Sequence, residues 1–376
     1  MKALILSGGK GTRLQPITNT MAKQLVPVAN KPVLFYALET VVAAGIFDIG
    51  IIVGDAHEEI KAVVKDGKEF GPDVSITYIH QDQPLGLAHA VKIAQPFLQR
   101  DRFLMFLGDN FIEESIDELV HQFFAPGCPF QAQVLLKQVS HPEQFGVAQL
   151  CALDGQPVTS DSLLCDDDVR IVRLVEKPKE AVSNFALVGI YFFDEHVFEA
   201  IDAIRPSLRG ELEITDAIQH LLDYGFIVRP HFLAGYWIDT GRMEDMLDAN
   251  RAVLSHMKCS ISSTAVIDQA SQVHGTVILE DHVCLINSIV CGPAIIGRNV
   301  TLSGAYIGPF TSIAQNCVVV NSEIEHSIVL QASSIHDIEG RIKDSLIGCH
   351  TQIYPSSATD RSYKFLLGDH SRIGIV

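Results

Sequence analysis

A glycine-rich turn near the start of the chain has the residue types that hold phosphates. The apolar run Ala3–Leu6 leads into residues 7–13, of sequence SGGKGTR. Glycines let the backbone bend sharply and bring N–H groups close to an anion, and Arg13 adds a forked cation suited to phosphate oxygens. A P-loop is excluded, because Lys10 is followed by glycine rather than Ser or Thr. A dinucleotide-binding G-x-G-x-x-G loop is also excluded, because Leu14 occupies the position of its third glycine.

A second motif follows ten residues beyond Arg13, where residues 23–33 read KQLVPVANKPV. Together the two motifs resemble the sugar-1-phosphate nucleotidyltransferases, and Lys23-Gln24 is most similar to their glucose-1-phosphate thymidylyltransferase branch. The tail Leu367–Arg372 resembles that of long-form members, so the resemblance covers nearly the whole chain. It implies a nucleotide-binding set made of Gly8, Gly9, Gly11, Thr12, Arg13, Lys23, Gln24, Gln81, Gly86 and Asp109.

Two carboxylates follow strand-like segments far apart in the chain. Asp109 comes after the run Phe103–Leu107, at the end of a strand where open α/β sheets bind their ligands. Asp239 lies in the sequence YWIDTG at another strand-to-helix turn. The resemblance implies that the two carboxylates together hold Mg²⁺, a cation that takes oxygen ligands and keeps water and phosphate oxygens around it.

The resemblance also implies a sugar-binding set. It consists of Asn110, Gly146, Glu176, Lys177 and Leu187. Glu176-Lys177-Pro178 matches the family's E-K-P motif, in which the glutamate binds sugar hydroxyls and the lysine reaches the sugar phosphate. Arg13, Lys23 and Lys177 are therefore the expected catalytic cations.

The identity of the base is open on physical grounds. A glutamine amide such as that of Gln24 or Gln81 offers a donor and an acceptor, which suits thymine and uracil equally. The resemblance alone favours dTTP over UTP, GTP or ATP.

Composition limits the partners and the compartment. The chain has 376 residues, 47% of them hydrophobic, and a net charge of −17. Nucleic-acid binding needs a basic surface, so we expect no nucleic-acid partner. No apolar run reaches a membrane-spanning length, the N-terminal run is too short for a signal peptide, and the eight cysteines form no C-x-x-C pair. We expect reduced, mostly buried thiols in a cytoplasmic protein that forms a homo-oligomer.

The first two-thirds of the chain alternates strand-like and helix-like segments. Between Pro32 and Gly45, for example, Leu34, Leu38 and Val41 recur at helical spacing. Such alternation predicts a Rossmann-like α/β domain with a mostly parallel sheet, over residues 1–254. The polar segment Asp154–Asp168 is predicted to be a loop without an assigned role.

The remaining residues, 255–376, follow a six-residue pattern. From Val277 to Val319, seven of the eight positions at this spacing are branched aliphatics, and only Thr301 breaks the series. This period, with Gly, Asn and Ser at the corners, is typical of a left-handed parallel β-helix. His326 and His336 on this domain raise an acyltransferase alternative, but solvated histidines at the corners are the simpler interpretation.

The expected reaction is the transfer of a nucleotidyl group from dTTP to glucose-1-phosphate, giving dTDP-glucose and pyrophosphate for dTDP-sugar biosynthesis. Alternatives are the same reaction with another nucleotide or sugar-1-phosphate, a catalytically silent regulatory or scaffolding relative, and a bifunctional enzyme whose β-helix transfers acyl groups. Retention of all five residues Arg13, Lys23, Asp109, Lys177 and Asp239 argues against the silent relative.

Overall fold

The computed structural model describes residues 1–9, 11–158, 166–180, 182–355 and 370–374. Lys10 of the glycine-rich turn and residues 367–369 of the tail lie outside the described residues. The chain divides into two compact units. The first comprises Met1–Lys10 and Leu34–Asp239, and the second comprises Gly11–Val33 and Thr240–Val376. A functional boundary after residue 254 remains a prediction from the sequence pattern.

Strands and helices alternate up to residue 256. The strands are β1 (Lys2–Ser7), β2 (Pro27–Val28), β3 (Lys31–Pro32), β4 (Asp48–Val53), β5 (Ser75–His80), β6 (Phe103–Leu107), β7 (Asn110–Ile112), β8 (Ala132–Gln138), β9 (Gly146–Ala152), β10 (Val169–Glu176), β11 (Phe185–Phe193), β12 (Val228–Phe232) and β13 (Trp237–Asp239). The helices are α1 (Val33–Ala43), α2 (His57–Val64), α3 (Leu87–Ile93), α4 (Gln95–Leu98), α5 (Asp117–Phe124), α6 (His196–Ala203), α7 (Ile214–Asp223) and α8 (Met243–His256).

A nine-stranded sheet forms the centre of the first unit, with the order β10-β9-β11-β6-β1-β4-β5; β8 also pairs with β11, and β12 pairs with β8. Strands β6, β1, β4 and β5 are parallel, whereas β11 runs antiparallel to β6, β8 and β9. The sheet is therefore mixed, and the predicted α/β class is confirmed. All nine residues of β11 are buried, as expected of a strand with both faces covered.

The polar segment 154–168 is only partly a loop. Pro157 forms a bridge with Cys151, and Asp166–Asp168 forms a turn of 3₁₀ helix directly before β10. Residues 159–165 of this segment lie outside the described part of the chain.

The C-terminal residues form three stacked parallel sheets of short strands. The strands are β14 (Ser260–Ile261), β15 (Val266–Ile267), β16 (Gln272–His274), β17 (Val277–Leu279), β18 (Cys284–Ile286), β19 (Ile289–Cys291), β20 (Ala294–Ile296), β21 (Thr301–Ser303), β22 (Tyr306–Ile307), β23 (Thr311–Ile313), β24 (Val318–Val320), β25 (Glu323–Glu325), β26 (Ile328–Val329), β27 (Ser334–His336), β28 (Arg341–Lys343), β29 (Leu346–Ile347) and β30 (Gln352–Ile353). Each strand pairs with the third strand after it, so each sheet is one face of a prism. The predicted left-handed β-helix class is confirmed.

The strict six-residue register is wrong in detail. On one face Val290, Ile307 and Ile324 are paired and fully buried, and they are spaced by 17 residues rather than 18. A series that advances by six therefore drifts by one position per coil. Ile289 consequently stands on the outside with 36% of its surface exposed, and at the apparent break it is Leu302, next to Thr301, that points into the core.

Two smaller expectations are also corrected. Among the described residues seven cysteines are free thiols, but only Cys151 and Cys317 are buried. His326 lies at a corner with a positive φ and forms an ion pair with Asp344, whereas His336 ends strand β27.

No helix in the described ranges is long and apolar enough to cross a membrane.

Candidate active site

The carboxyl ends of two neighbouring parallel strands bring Gly8 close to Asp109. Leu6 of β1 is the register partner of Leu107 of β6, and the Gly108 N–H donates to the Leu6 carbonyl at 2.9 Å. Gly8 and Asp109 both follow these strand ends, so they lie at the same edge of the sheet. Ligands of open α/β sheets bind at this edge.

A second group at this edge contains the residues predicted to bind the base. The Gln81 side-chain oxygen lies so close to Gly8 that a Cβ there would stand 3.2 Å from it. Gly86 has a φ of +103°, and a Cβ on it would lie 2.4 Å from the Leu212 carbonyl oxygen. The Gln81 amide nitrogen also lies 3.4 Å from the Gly86 carbonyl oxygen. Gly8, Gln81 and Gly86 are therefore brought together; Gly86 has no room for a side chain, and a side chain at Gly8 would displace the Gln81 amide by a few tenths of an ångström.

His89 fixes the Gln81 amide and was not singled out by the sequence. Its Nδ1 lies 3.0 Å from the Gln81 amide nitrogen, which makes Nδ1 the acceptor and the imidazole neutral. Burial, assisted by the charge of Lys92, lowers the pKa of His89 and favours this neutral form. The Gln81 carbonyl oxygen is thereby turned towards Gly8.

Strand pairing also brings together the two segments that carry the predicted metal ligands. Asp239 of β13 is the antiparallel register partner of Asn110 of β7. The Asn110 amide donates to Asp109 Oδ1 at 2.9 Å, and the Trp237 indole N–H donates to Asn110 Oδ1 at 2.6 Å. Asn110 therefore lies between the segments of both carboxylates and is almost fully buried.

This donor set suits a hard cation that keeps part of its own shell. The described residues contain no cluster of three or more His, Cys, Asp or Glu side chains arranged around a metal position. Two carboxylates alone are too few for a closed structural site, but they suit Mg²⁺, which retains water and takes substrate phosphate oxygens.

The predicted sugar residues converge around Gly146. Gly146 of β9 is the register partner of Glu176 of β10. A Cβ on Gly146 would lie 2.6 Å from Thr215 Cγ2, 2.9 Å from Glu176 Oε2 and 3.8 Å from Leu187 Cδ1. Asn110 joins this group through β11, since a Cβ on Gly189 would lie 2.7 Å from Asn110 Oδ1.

Glu176 is half-buried among both cations and anions. Burial, with a contribution from Glu213, raises its pKa, although Lys177, Arg209 and the Thr215 hydroxyl act in the opposite direction. Lys177 Nζ lies 3.6 Å from Glu176 Oε1, and the Lys177 backbone has a positive φ. This turn directs the lysine and the glutamate of the E-K-P motif to neighbouring positions.

Arg209 and Thr215 support Glu176 and were missed as individual site residues. Arg209 Nη2 lies 3.3 Å from Glu176 Oε1 and 2.8 Å from Glu213 Oε2, and Thr215 Oγ1 donates to Glu176 Oε2 at 3.3 Å. The stretch Glu211–Asp216, which contains Thr215 but not Arg209, resembles a stretch of the same family and is the one sequence signal for this support. Only the fold shows that Thr215 contacts Glu176.

Trp237 is a further residue of this site that the sequence did not reveal. Its ring packs on Phe145, with centroids 5.1 Å apart, and the Phe145 carbonyl accepts the Lys177 N–H at 3.0 Å. Trp237 therefore connects Asn110 with the Gly146 and Lys177 segments.

The remaining predicted residues belong to the second unit. They are Gly11, Thr12, Arg13, Lys23 and Gln24. Gly11 has a φ of +62°, and a Cβ on it would lie 2.8 Å from Lys23 Cβ, so the glycine-rich turn packs on the second motif. Arg13 and Thr12 are exposed, and Gly9 is exposed in the first unit. Gln24 is buried, and its side-chain oxygen has no hydrogen-bond partner among the described residues, which leaves an acceptor for a ligand.

Comparison with known proteins assigns the chain to a family and identifies similar relatives. Residues 2–256 match the family model described as nucleotidyl transferase, and the chain belongs to this family. It is 50% identical to a glucose-1-phosphate thymidylyltransferase of Streptomyces antibioticus, with 100% of this chain and 99% of the relative covered. It is 47% identical to a protein of the same name from Streptomyces griseus, with the same coverage.

A solved structure agrees with the fold of the N-terminal part. A Bacillus anthracis protein described as a glucose-1-phosphate thymidylyltransferase, crystallised with sucrose, is 36% identical and has a TM-score of 0.59. The match covers 69% of this chain and 97% of that one. The predicted family resemblance is confirmed. The two Streptomyces relatives match this chain over its full length and over 99% of their own length.

Proposed function

We propose that the protein is a Mg²⁺-dependent enzyme that transfers a thymidylyl group from dTTP to glucose-1-phosphate, giving dTDP-glucose and pyrophosphate. The observation that supports this most is the full-length identity of 50% to a relative named for that activity. It is also supported by the convergence of Asn110, Gly146, Glu176 and Leu187 near the segments that carry Asp109 and Asp239. We also propose a cytoplasmic homo-oligomer.

In the proposed reaction, a phosphate oxygen of glucose-1-phosphate forms a bond to the α-phosphorus of dTTP while the bond to pyrophosphate breaks. The attacking phosphate is already an anion at neutral pH, so no group of the protein has to remove a proton. The protein's contribution is positioning and neutralisation of negative charge.

Each proposed residue has a distinct task. Lys177 holds the incoming phosphate, and Glu176 accepts hydrogen bonds from sugar hydroxyls. Arg13 and Lys23 neutralise the departing pyrophosphate. Asp109 and Asp239 would hold Mg²⁺, which when bound supplies positive charge to the phosphate oxygens.

Base selection rests on glutamine amides in this proposal. The Gln81 oxygen, held in place by His89, is suited to accept the N3–H of a pyrimidine. Uracil presents the same edge, so the preference for dTTP over UTP is drawn from the relatives. The side-chain oxygen of buried Gln24, which has no hydrogen-bond partner among the described residues, offers a second acceptor.

The test is pyrophosphate release with Mg²⁺ and glucose-1-phosphate, with dTTP, UTP, ATP and GTP offered in parallel. We expect strong preference for dTTP. Release with a different nucleotide would retain the mechanism and overturn the base assignment. Absence of release with all four nucleotides would favour a regulatory relative.

A matched pair of variants tests the assignment of the catalytic lysine. Lys177→Ala should lower turnover by about 10²–10³-fold, the scale of losing one preorganised charge partner. Lys179→Ala removes an exposed lysine two residues away and should leave turnover unchanged. Equal effects of the two substitutions would contradict the role of Lys177.

A further inference from the structure

The turn at residues 233–236 leads directly into the Trp237–Asp239 strand and is held by two opposite charges. Lys137 Nζ donates to three successive backbone carbonyls, those of Leu233, Ala234 and Gly235, at 2.9–3.0 Å. Glu114 Oε2 accepts the N–H groups of Ala234 and Gly235 at 2.8 and 3.3 Å. Glu114 and Lys137, which we call the turn clamp, thus satisfy both kinds of backbone polar group in one short turn.

His231 and Asp166 hold Glu114 of the turn clamp in place. His231 Nε2 lies 3.1 Å from Glu114 Oε1, and its Nδ1 lies 2.5 Å from Asp166 Oδ2. Asp166 also accepts the Phe232 N–H at 2.9 Å. Burial would lower the pKa of His231, but its two carboxylate partners raise it overall, so the imidazolium form is favoured. Asp166 belongs to the polar segment that had no assigned role in the sequence.

The clamped turn determines where the next three residues lie. Past Gly235, the Glu113 N–H donates to the Tyr236 carbonyl at 3.0 Å, and β13 then pairs with β7 through Asp239 and Asn110. Trp237 contacts Asn110 and Phe145 within this pairing. A shift of the turn would therefore move both the indole and the Asp239 carboxylate relative to Asn110.

We propose that Glu114 and Lys137 are positioning residues for the transferase reaction, because they fix the turn that places Trp237 and Asp239 against Asn110. This rests on the proposed function for the role of Asp239. A charge-assisted hydrogen bond is stronger than a neutral one, so two charged groups on a four-residue turn suit a segment that must not move. A displacement of about 1 Å costs on the order of 10²-fold in rate.

The test uses Trp237, the single tryptophan of the chain, as a reporter. Lys137→Met and Glu114→Gln should lower kcat about 10- to 100-fold, with little change in the KM for dTTP. Both should also make Trp237 fluorescence more accessible to acrylamide quenching, with no nucleotide or metal present. Lys137→Arg keeps donors for the three carbonyls and should restore most of both properties.

Lys68→Met is the matched control, because Lys68 Nζ likewise donates to two backbone carbonyls, those of Pro72 and Val74, in another turn of the same unit. It should leave kcat and quenching at wild-type values. Quenching and kcat within twofold of wild type in Lys137→Met would overturn the proposal, as would an equal loss in Lys68→Met. If the wild type releases no pyrophosphate, the proposed function fails, yet the quenching comparison still decides whether the clamp positions Trp237.

Discussion

A single methyl group added at Gly146 tests the sugar site. The Cβ of Gly146→Ala would lie 2.6 Å from the Cγ2 of buried Thr215, whereas carbon atoms normally sit about 3.5–4.0 Å apart. Thr215 must therefore retreat by about 1 Å. Overpacking of this kind costs about 1–3 kcal/mol of stability, which a thermal melt detects.

The same methyl group also lies 2.9 Å from Glu176 Oε2 and pushes that carboxylate from its position. A hydrogen bond to a charged group is worth about 1.5–3 kcal/mol, so losing it should lower kcat/KM for glucose-1-phosphate about 10- to 100-fold. The KM for dTTP should change little, because Gly146 does not contact the Gln81 group. Initial rates with each substrate varied in turn separate the two effects.

Gly340→Ala is the control, since a Cβ at Gly340 meets no atom within 4 Å. It should leave melting and kinetics near wild type. If Gly146→Ala lowers the melting temperature but leaves the sugar-phosphate kinetics intact, the proposed contact between Glu176 and the sugar is refuted. If neither property changes, the packing around Gly146 is wrong.

Two further predictions concern the base site and pH. Gly86→Ala should weaken dTTP binding, measured by calorimetry, by about tenfold or more. The new Cβ would lie 2.4 Å from the Leu212 carbonyl, and the φ of +103° disfavours any side chain. Unchanged affinity would remove Gly86 from the site. His231→Gln should lower the melting temperature at about pH 6 and much less at about pH 9. Because the pKa of His231 is raised in the folded state, its ion pairs stabilise the fold fully below its unfolded pKa of about 6.5. This stabilisation is lost as the pH rises through the folded pKa. An equal decrease in melting temperature at both pH values would contradict this.

Sequence motifs mark the candidate site residues, but they do not reveal the contacts that hold those residues in place. Gly8, Asp109 and Glu176 are recognisable because short motifs and strand ends mark them. The support of Glu176 by Arg209 and Thr215 depends on segments more than thirty residues apart in the chain, and no local pattern reveals it. The same holds for Lys137, whose three carbonyl partners lie almost a hundred residues away.

The β-helix was predictable in kind but not in register. Aliphatic residues at intervals of six identified the class, because each face needs one inward side chain per coil. Turns that shorten some coils to 17 residues are invisible to a fixed period, so the six-residue series from Val277 falls on Ile289, whereas Val290 is the buried residue. The antiparallel half of the central sheet escaped prediction for a related reason, since long-range strand order leaves no periodic mark on the sequence.

The hydrogen bonds of Asn250 limit how far this chain can be shortened. This fully buried side chain accepts the Ala29 N–H at 2.9 Å and the Ser312 hydroxyl at 2.6 Å, and it donates to the Phe310 carbonyl, while Asn30 donates to Ile313. The segment with Arg13 and Lys23 thus uses a coil of the β-helix as its scaffold. A chain ending at residue 254 would keep every predicted catalytic residue and still lose the β-helix partners of the buried Asn250 amide and the half-buried Asn30 amide. The C-terminal coils are in this sense a structural support of the segment that carries the predicted phosphate-binding residues Arg13 and Lys23, although the family match ends at residue 256.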